Sequence, residues 1–449
     1  MFYFIALFIL ILFLILKVFP IISGYGAKTL CSNVFLCNRE AADVLKHELS
    51  LFPVNLGRYA INYTEKSVTA SVAGLAKKKA IFREGLGATL LNGISEKEFQ
   101  LQTFDLPVKP IINQEILRWP LGNTTLAGKD FTVDEQQLNA ALEEAFGKRE
   151  SNRGTRAVVI VKNGELIKER YADGFTADTK LSGWSMAKSI TNALIGILVK
   201  QNKLDIHTPV DLDEWKNDER KHITIAHLMQ MSSGLNWWEF YAAPSDATNM
   251  LYNQKNMGSF AAKKKARYNV GKRFNYSSGS TNILSDIIRK TIGDSDYYKF
   301  PYNELFYKIG MMNTIFEIDA GGTFVGSSYC FATARDWARF GLLFLNDGIW
   351  NGERILPEGW VDFTVTPTAA KMKKKGDSYG AQWWLNKSVH NTPIRYPNVP
   401  ADCFMCQGFE GQNIWIIPSE NLVVVRLAFE KGDELNPDTF LTSVIQSFT

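Results

Sequence analysis

The chain is predicted to fold as an α/β (α+β) protein in which one antiparallel sheet is flanked by helices and interrupted by an inserted all-helical region. Three observations predict this. The β-branched run Ala157–Val161 is joined by Asn163-Gly164 to a second run, Glu165–Tyr171, a strong two-residue hairpin signal. Strand-like patterns then return only near the end of the chain, at Tyr379–Leu385, Asn413–Ile417 and Leu422–Phe429. Between them, about 205–380 reads as mostly helical with long loops. Strands from both ends can therefore share one sheet, with the helical stretch inserted between them.

Helices frame these strands. Val133–Phe146 carries Leu138, Ala141, Leu142 and Phe146 at helical spacing, and Ile190, Leu194, Ile195, Ile197 and Leu198 mark a buried helix running from Ser185 to about Asn202. A last helix covers about Asp438–Phe448. Upstream, Ala41–Leu51 reads as helix and Ser67–Leu75 as strand, and Trp119-Pro120-Leu121-Gly122-Asn123 is a turn-rich boundary. The expected organisation is an N-terminal membrane anchor or signal-anchor over 1–23, a mixed α/β extension over 24–130 and a main domain over 131–449.

The anchor is read from residues 2–16, which are uninterrupted apolar side chains, followed by Lys17 and then Val18-Phe19-Pro20-Ile21-Ile22. That is about long enough to span a bilayer with Lys17 snorkelling. A cleaved signal peptide is the rival; the start lacks Lys and Arg, and Ser23-Gly24-Tyr25-Gly26-Ala27 is a poor cleavage match. Lys17 and Lys28 after the apolar core pull the body towards the cytoplasm, but that bias alone does not decide the export of a large domain. The expected location is an anchored protein with its body exported to a bacterial periplasm or cell surface.

Composition excludes several functions. The 449 residues are 46% hydrophobic and 21% charged, an ordinary globular balance, and the net charge of +4 is too mild to argue for nucleic acid. The basic runs Lys77-Lys78-Lys79, Lys263-Lys264-Lys265 and Lys373-Lys374-Lys375 are scattered. Five cysteines (Cys31, Cys37, Cys330, Cys403, Cys406) at wide spacing do not form a disulfide framework, and the single C-x-x-C at Cys403 and Cys406 has no second half. The five histidines show no paired spacing, so no metal and no cofactor are expected.

Chemistry is carried by three elements in order. Ser185-Met186-Ala187-Lys188 opens a helix, and positions three apart share a face, so hydroxyl and amine can touch. A lysine whose pKa is lowered by burial can take the serine's proton, and the helix N-terminus favours a developing oxyanion. Tyr276-Ser277-Ser278 precedes the helical pattern Thr281–Thr291 and offers a tyrosine as proton relay. Gly408-Phe409-Glu410-Gly411-Gln412 precedes a strand, where glycines allow a substrate carbonyl to approach backbone N–H groups. Singly, these read as a helix cap, a buried tyrosine and a tight turn. Their joint order is what points to a site.

With these motifs, the chain resembles the serine β-lactamase and penicillin-binding-protein-like hydrolases, in the branch of class C β-lactamases, D-alanyl-D-alanine carboxypeptidases and esterases. The resemblance runs from about Gly154 to the C-terminus and includes Ile223–Leu235, Asn275–Gly279, Ala332–Gly341 and Tyr379-Gly380 before Trp383-Trp384. Within the family it is most like the 6-aminohexanoate-dimer hydrolase-like amidases and esterases, whose G-x-x-G-Q motif Gly408–Gln412 matches. The 24–123 stretch resembles an extension found in some bacterial members. The resemblance implies a β-lactamase-like fold, Ser185 as acyl-enzyme nucleophile, Lys188 as base, Tyr276 as proton relay, and the backbone N–H groups of Ser185 and Gln412 as oxyanion hole. Gly411, Ser278 and Trp184 are the further substrate-side candidates.

Two departures narrow the substrate. Phe409 stands where lactamases and peptidases place a Lys or His that meets a substrate carboxylate, and Ser278 replaces the asparagine that lactamases use. A small amide or ester suits such a site better than a β-lactam or a D-Ala-D-Ala peptide, which remain the alternatives. Trp184, Trp237, Trp238, Tyr241 and Trp384 either line an apolar acyl pocket or pack in the core. Asp246 either reads a substrate amine or sits in a solvated loop. Two other classes compete: a non-turnover penicillin-binding-like sensor, and an α/β-hydrolase in which Gly183-Trp184-Ser185-Met186-Ala187 approximates a nucleophile elbow with His390 as base.

Overall fold

The structure, a computed structural model, describes residues 2–125, 132–147, 153–372, 376–389 and 393–448. Its centre is a six-stranded antiparallel sheet in the order Trp384–Leu385, Phe404–Gly408, Gln412–Ile417, Leu422–Ala428, Thr155–Lys162, Glu165–Tyr171. The hairpin turns at Asn163 and Gly164, both at positive φ (51° and 79°), the geometry a two-residue turn of this type requires. Leu422–Ala428 pairs with Thr155–Lys162, Val424 facing Ile160, so the first and last parts of the domain are joined edge to edge as expected. An antiparallel sheet of this order also removes the α/β-hydrolase reading, which needs a mostly parallel sheet; His390, its candidate base, lies outside the described residues, as does Lys373-Lys374-Lys375.

The central strands are buried on both faces, which is why they read as continuous apolar runs, whereas the edge strand Glu165–Tyr171 is half-exposed and polar. Val159, Val161, Cys406, Ile414, Val423 and Val425 belong to the inner core, shared with the helices Ala187–Lys200 and Ala334–Leu345. Val158, Ile160, Met405, Trp415 and Val424 form an outer core under the helices Glu135–Phe146 and Pro437–Gln446. Cys403 lies in the outer core and Cys406 in the inner one. The C-x-x-C spacing thus straddles the sheet, and both are buried free thiols. The expected strand Tyr379–Leu385 shortens to Trp384–Leu385: Gln382 has φ +65°, and Gly380 lies so close to Thr364 that a Cβ would sit 1.9 Å from its carbonyl oxygen.

The N-terminal part differs most from expectation. Phe2 to Leu36 form one nearly continuous helix, with π-turns at Leu14–Val18 and Ser32–Leu36. The first π-turn precedes Pro20, which cannot donate to the preceding turn. By length and composition Ile11–Leu36 qualifies as a membrane span. Yet Tyr3, Phe4, Ile9, Ile11, Leu12, Phe13 and Leu16 are exposed, whereas Ile22, Ala27, Leu30 and Cys31 are in the inner core. The helix is therefore embedded in the body from about Ile22 onward, still touches it over Leu14–Val18 and at Ile21, and is exposed before that. Lys28 is no juxtamembrane charge: it is buried in an ion pair with Glu317, whose carboxyl burial pushes up and Lys28 pulls back down.

The extension adds a second, four-stranded antiparallel sheet, Gly57–Asn62, Ser67–Val72, Leu75–Arg83 and Gly87–Leu90. Val68, Ala70, Ala80 and Ala88 join the same inner core as Ile190 and Trp337. Packing runs across the boundary expected near residue 130.

Candidate active site

Ser185 stands in a 3-10 turn, Trp184–Met186, that leads into the helix Ala187–Lys200. Trp184 has φ +46°, a conformation rare for a bulky residue, directly before the nucleophile candidate. Lys188, one helical turn on, points back at the serine: its Nζ is 2.9 Å from Ser185 Oγ, 3.0 Å from Ser278 Oγ and 3.0 Å from the Ser327 carbonyl oxygen. Lys188 is buried, and desolvation lowers its pKa to about 8, although the charge of Glu239 works in the opposite direction.

Tyr276 adjoins the pair: the Lys188 ammonium lies 4.9 Å from its ring centroid. Burial pushes the phenol well above its ordinary value, with the nearby Ser185 side chain acting the other way. Tyr276 is held by a stacked Trp384, 5.4 Å between centroids, and an edge-on Tyr379 at 5.9 Å. The three motif residues named in the sequence are thus brought together.

The glycine motif forms a three-residue turn between the strands Phe404–Gly408 and Gln412–Ile417, with Glu410 at φ +65° and Gly411 at φ +86°. It abuts the nucleophile turn: a Cβ on Gly408 would come 2.1 Å from the Gly183 carbonyl oxygen. The Gln412 side chain fastens the turn to the next strand, its Nε2 donating to the carbonyls of Ala428 and Phe409 and its Oε1 accepting from Ala428 N–H at 3.1 Å. Phe409 is partly exposed, stacks on Tyr241 at 5.2 Å and meets Trp184 edge-on at 6.0 Å.

Two candidates take different places from those expected. Ser278 is fully buried, and its hydroxyl is committed to Lys188 and Glu239, so it supports the lysine rather than facing a substrate. Asp246 begins the helix Asp246–Asn253, where one carboxylate oxygen accepts Trp238 N–H at 2.9 Å and the other meets Lys264 Nζ at 2.6 Å. Both oxygens are engaged in shaping the loop. Of the aromatic candidates, Trp237 is core and Trp238 is exposed, stacked on Phe240, whereas Trp184, Tyr241 and Trp384 surround the site.

Glu239 escaped the sequence reading. Its carboxylate accepts the Ser278 backbone N–H at 2.8 Å, the Ser278 hydroxyl, the Tyr241 hydroxyl at 2.7 Å and the Trp237 indole N–H at 2.6 Å. A lone glutamate between aromatics carries no spacing signal; only the fold brings it against Ser278. Glu410 is a second such residue. It lies beside Trp184, and burial raises its carboxyl to about 8 against the pull of Arg156. Arg156 and Arg39 both pair with Glu48, so the N-terminal extension reaches the back of the site.

A β-lactamase family model matches residues 139–439, two-thirds of the chain. The chain belongs to the beta-lactamase family. Among its relatives in this family, a 6-aminohexanoate-dimer hydrolase of Paenarthrobacter ureafaciens is 23% identical over 298 residues, 61% of this chain and 72% of that protein. A provisional 6-aminohexanoate-dimer hydrolase structure from Bacillus anthracis superposes with a TM-score of 0.52 at 25% identity, covering 72% of this chain and 84% of the other. A family VIII carboxylesterase structure gives a TM-score of 0.54 at 14% identity over 72% and 99% of the two chains, which shows the shared fold.

Proposed function

We propose that the protein is a serine hydrolase that cleaves a small amide or ester through an acyl-enzyme on Ser185. The observation that carries this reading is the buried Lys188 amine, 2.9 Å from Ser185 Oγ, with its pKa lowered to about 8 and two further acceptors fixing its direction. A neutral Lys188 keeps N–H bonds to Ser278 Oγ and the Ser327 carbonyl and turns its lone pair to the Ser185 hydroxyl. It takes that proton as Oγ attacks the substrate carbonyl carbon. The carbonyl oxygen becomes an oxyanion held by the backbone N–H groups of Ser185 and Gln412. Collapse expels the amine or alcohol, which receives a proton relayed through Tyr276. Water then attacks the acyl carbon, loses its proton to the same base, and returns Ser185.

Phe409 and the aromatic side chains of Trp184, Tyr241 and Trp384 favour an uncharged or apolar acyl group over a carboxylate-bearing one. The exposed apolar part of the N-terminal helix is read as a membrane anchor for this enzyme.

The test is covalent labelling of Ser185 by a fluorophosphonate, together with a screen of nitrophenyl esters, short ω-amino-acid amides, nitrocefin and D-Ala-D-Ala peptides. Absence of labelling in the folded protein overturns the reading. Acylation without turnover favours the sensor, and preferential nitrocefin or D-Ala-D-Ala cleavage favours the lactamase and peptidase alternatives.

A further inference from the structure

We infer that the end of the small N-terminal sheet nearest the exposed part of the N-terminal helix is a membrane-docking collar, in which Leu51, Phe52, Leu56 and Leu75 enter an anionic bilayer surface beside the anchor. This rests on reading that exposed part as a membrane anchor.

The geometry starts with the helix. At about 1.5 Å per residue, a hydrocarbon core about 30 Å thick takes up roughly 20 residues. The exposed apolar residues of the helix end at Leu16, so the bilayer surface falls where the helix passes from exposed Leu16 to buried Ile22. The body elements at that level are those touching the start of the embedded helix. Leu14–Val18 touches the strand beginning at Leu75, and Phe19–Cys31 touches the turn Val54–Leu56. The strand register brings these two together: Gly57 pairs with Val72, and Val72 with Leu75. Tyr59 locks the turn to the helix, its hydroxyl donating to the Val54 carbonyl at 2.7 Å while its ring fills the space beside Gly26, where a Cβ would come 2.1 Å from Tyr59 Cε1.

At this end the surface is apolar, and no partner covers it among the described residues. Phe52 is 79% exposed, and Leu51, Leu56 and Leu75 are each close to half exposed. Large side chains clustered in this way mark an interaction surface rather than a random scatter. Lys17, Arg58 and Lys77 are exposed beside them. Apolar side chains ringed by cations at the exit of an apolar helix match an interface of acyl chains beneath anionic headgroups, where each cation contributes about 1 kcal/mol.

The test uses the full-length protein in vesicles of phosphatidylcholine mixed with phosphatidylglycerol. Single variants Ile9→Cys, Phe52→Cys and Tyr63→Cys are labelled with bimane; the five native cysteines are buried. Position 9 reports the anchor, 52 the collar, and 63 the far end of the sheet, where Tyr63 meets Phe35. Brominated lipid is expected to quench positions 9 and 52 but not 63, with a larger loss at 52 when phosphatidylglycerol is present than in phosphatidylcholine alone. Quenching at 9 without 52 overturns the collar and leaves the anchor standing. Protection of 52 from solvent without quenching means a protein partner covers it and also overturns the inference. No quenching at 9 overturns the anchor and the collar together.

Discussion

The carboxylate of Glu239 receives both the backbone N–H and the hydroxyl of Ser278, and that hydroxyl lies 3.0 Å from the amine of Lys188. Glu239 therefore acts on the candidate base through one intervening oxygen. Its negative charge raises the lysine's pKa while burial lowers it, and the balance falls at about 8. A base at that value is partly neutral near neutral pH without losing its basicity.

Glu239→Gln removes the charge and keeps the side chain's shape. Lys188 then holds its proton less strongly, so the rising limb of kcat/KM against pH is expected to move to lower pH by about one unit. The parent limb is expected near pH 8, with activity growing as the amine deprotonates. A purely structural role for Glu239 lowers activity at every pH and leaves the limb in place.

Lys188→Met is expected to reduce acylation by at least about 100-fold. Stability moves the other way. The folded pKa of about 8 lies below the ordinary lysine value of 10.5, so the parent carries the full cost of a buried ammonium below pH 8 and loses it as pH rises towards 10.5. The melting temperature of the variant relative to the parent should be highest below pH 8 and decline above it. Thermal melts across that range check the sign.

Gln412→Ala releases the glycine turn from Ala428 and leaves a buried backbone N–H and carbonyl without their side-chain partner. A loss of about 1–3 kcal/mol in unfolding free energy is expected. Because the turn carries the proposed oxyanion donor, kcat should fall more than KM rises. Denaturant titration and steady-state kinetics separate the two effects.

Phe409→Ala removes the ring that joins Trp184 to Tyr241. If the ring contacts the acyl chain, nitrophenyl hexanoate loses about 1–2 kcal/mol of binding, roughly a 5- to 30-fold rise in KM. Nitrophenyl acetate, too short to reach it, should change little. Equal effects on both esters remove the acyl-pocket role.

The local rules were legible in the chain. Asn163-Gly164 gave its hairpin, Val158–Ile160 and Val423–Val425 read as strands because both faces are covered, and the i, i+3 spacing put Lys188 against Ser185. Helix ends were less legible: Ala41–His47 stops earlier than the apolar pattern, and the strand Phe404–Gly408 was hidden among cysteines and a glycine.

What the sequence by itself determined was the order of the strands' ends, the class of fold and the serine, lysine and tyrosine of the candidate site, because each follows from spacing along one element or from a motif that keeps its order. Tertiary structure alone decided that Ser278 and Glu239 support the lysine, that Asp246 is spent on Lys264, that Lys28 pairs with Glu317 inside the body, and that the N-terminal helix is half embedded. The helix is embedded because distant apolar residues cover Ala27 and Leu30, and the other three share one physical reason. A polar side chain's partner is set by which distant groups burial brings within hydrogen-bond reach, and no local pattern records that distance.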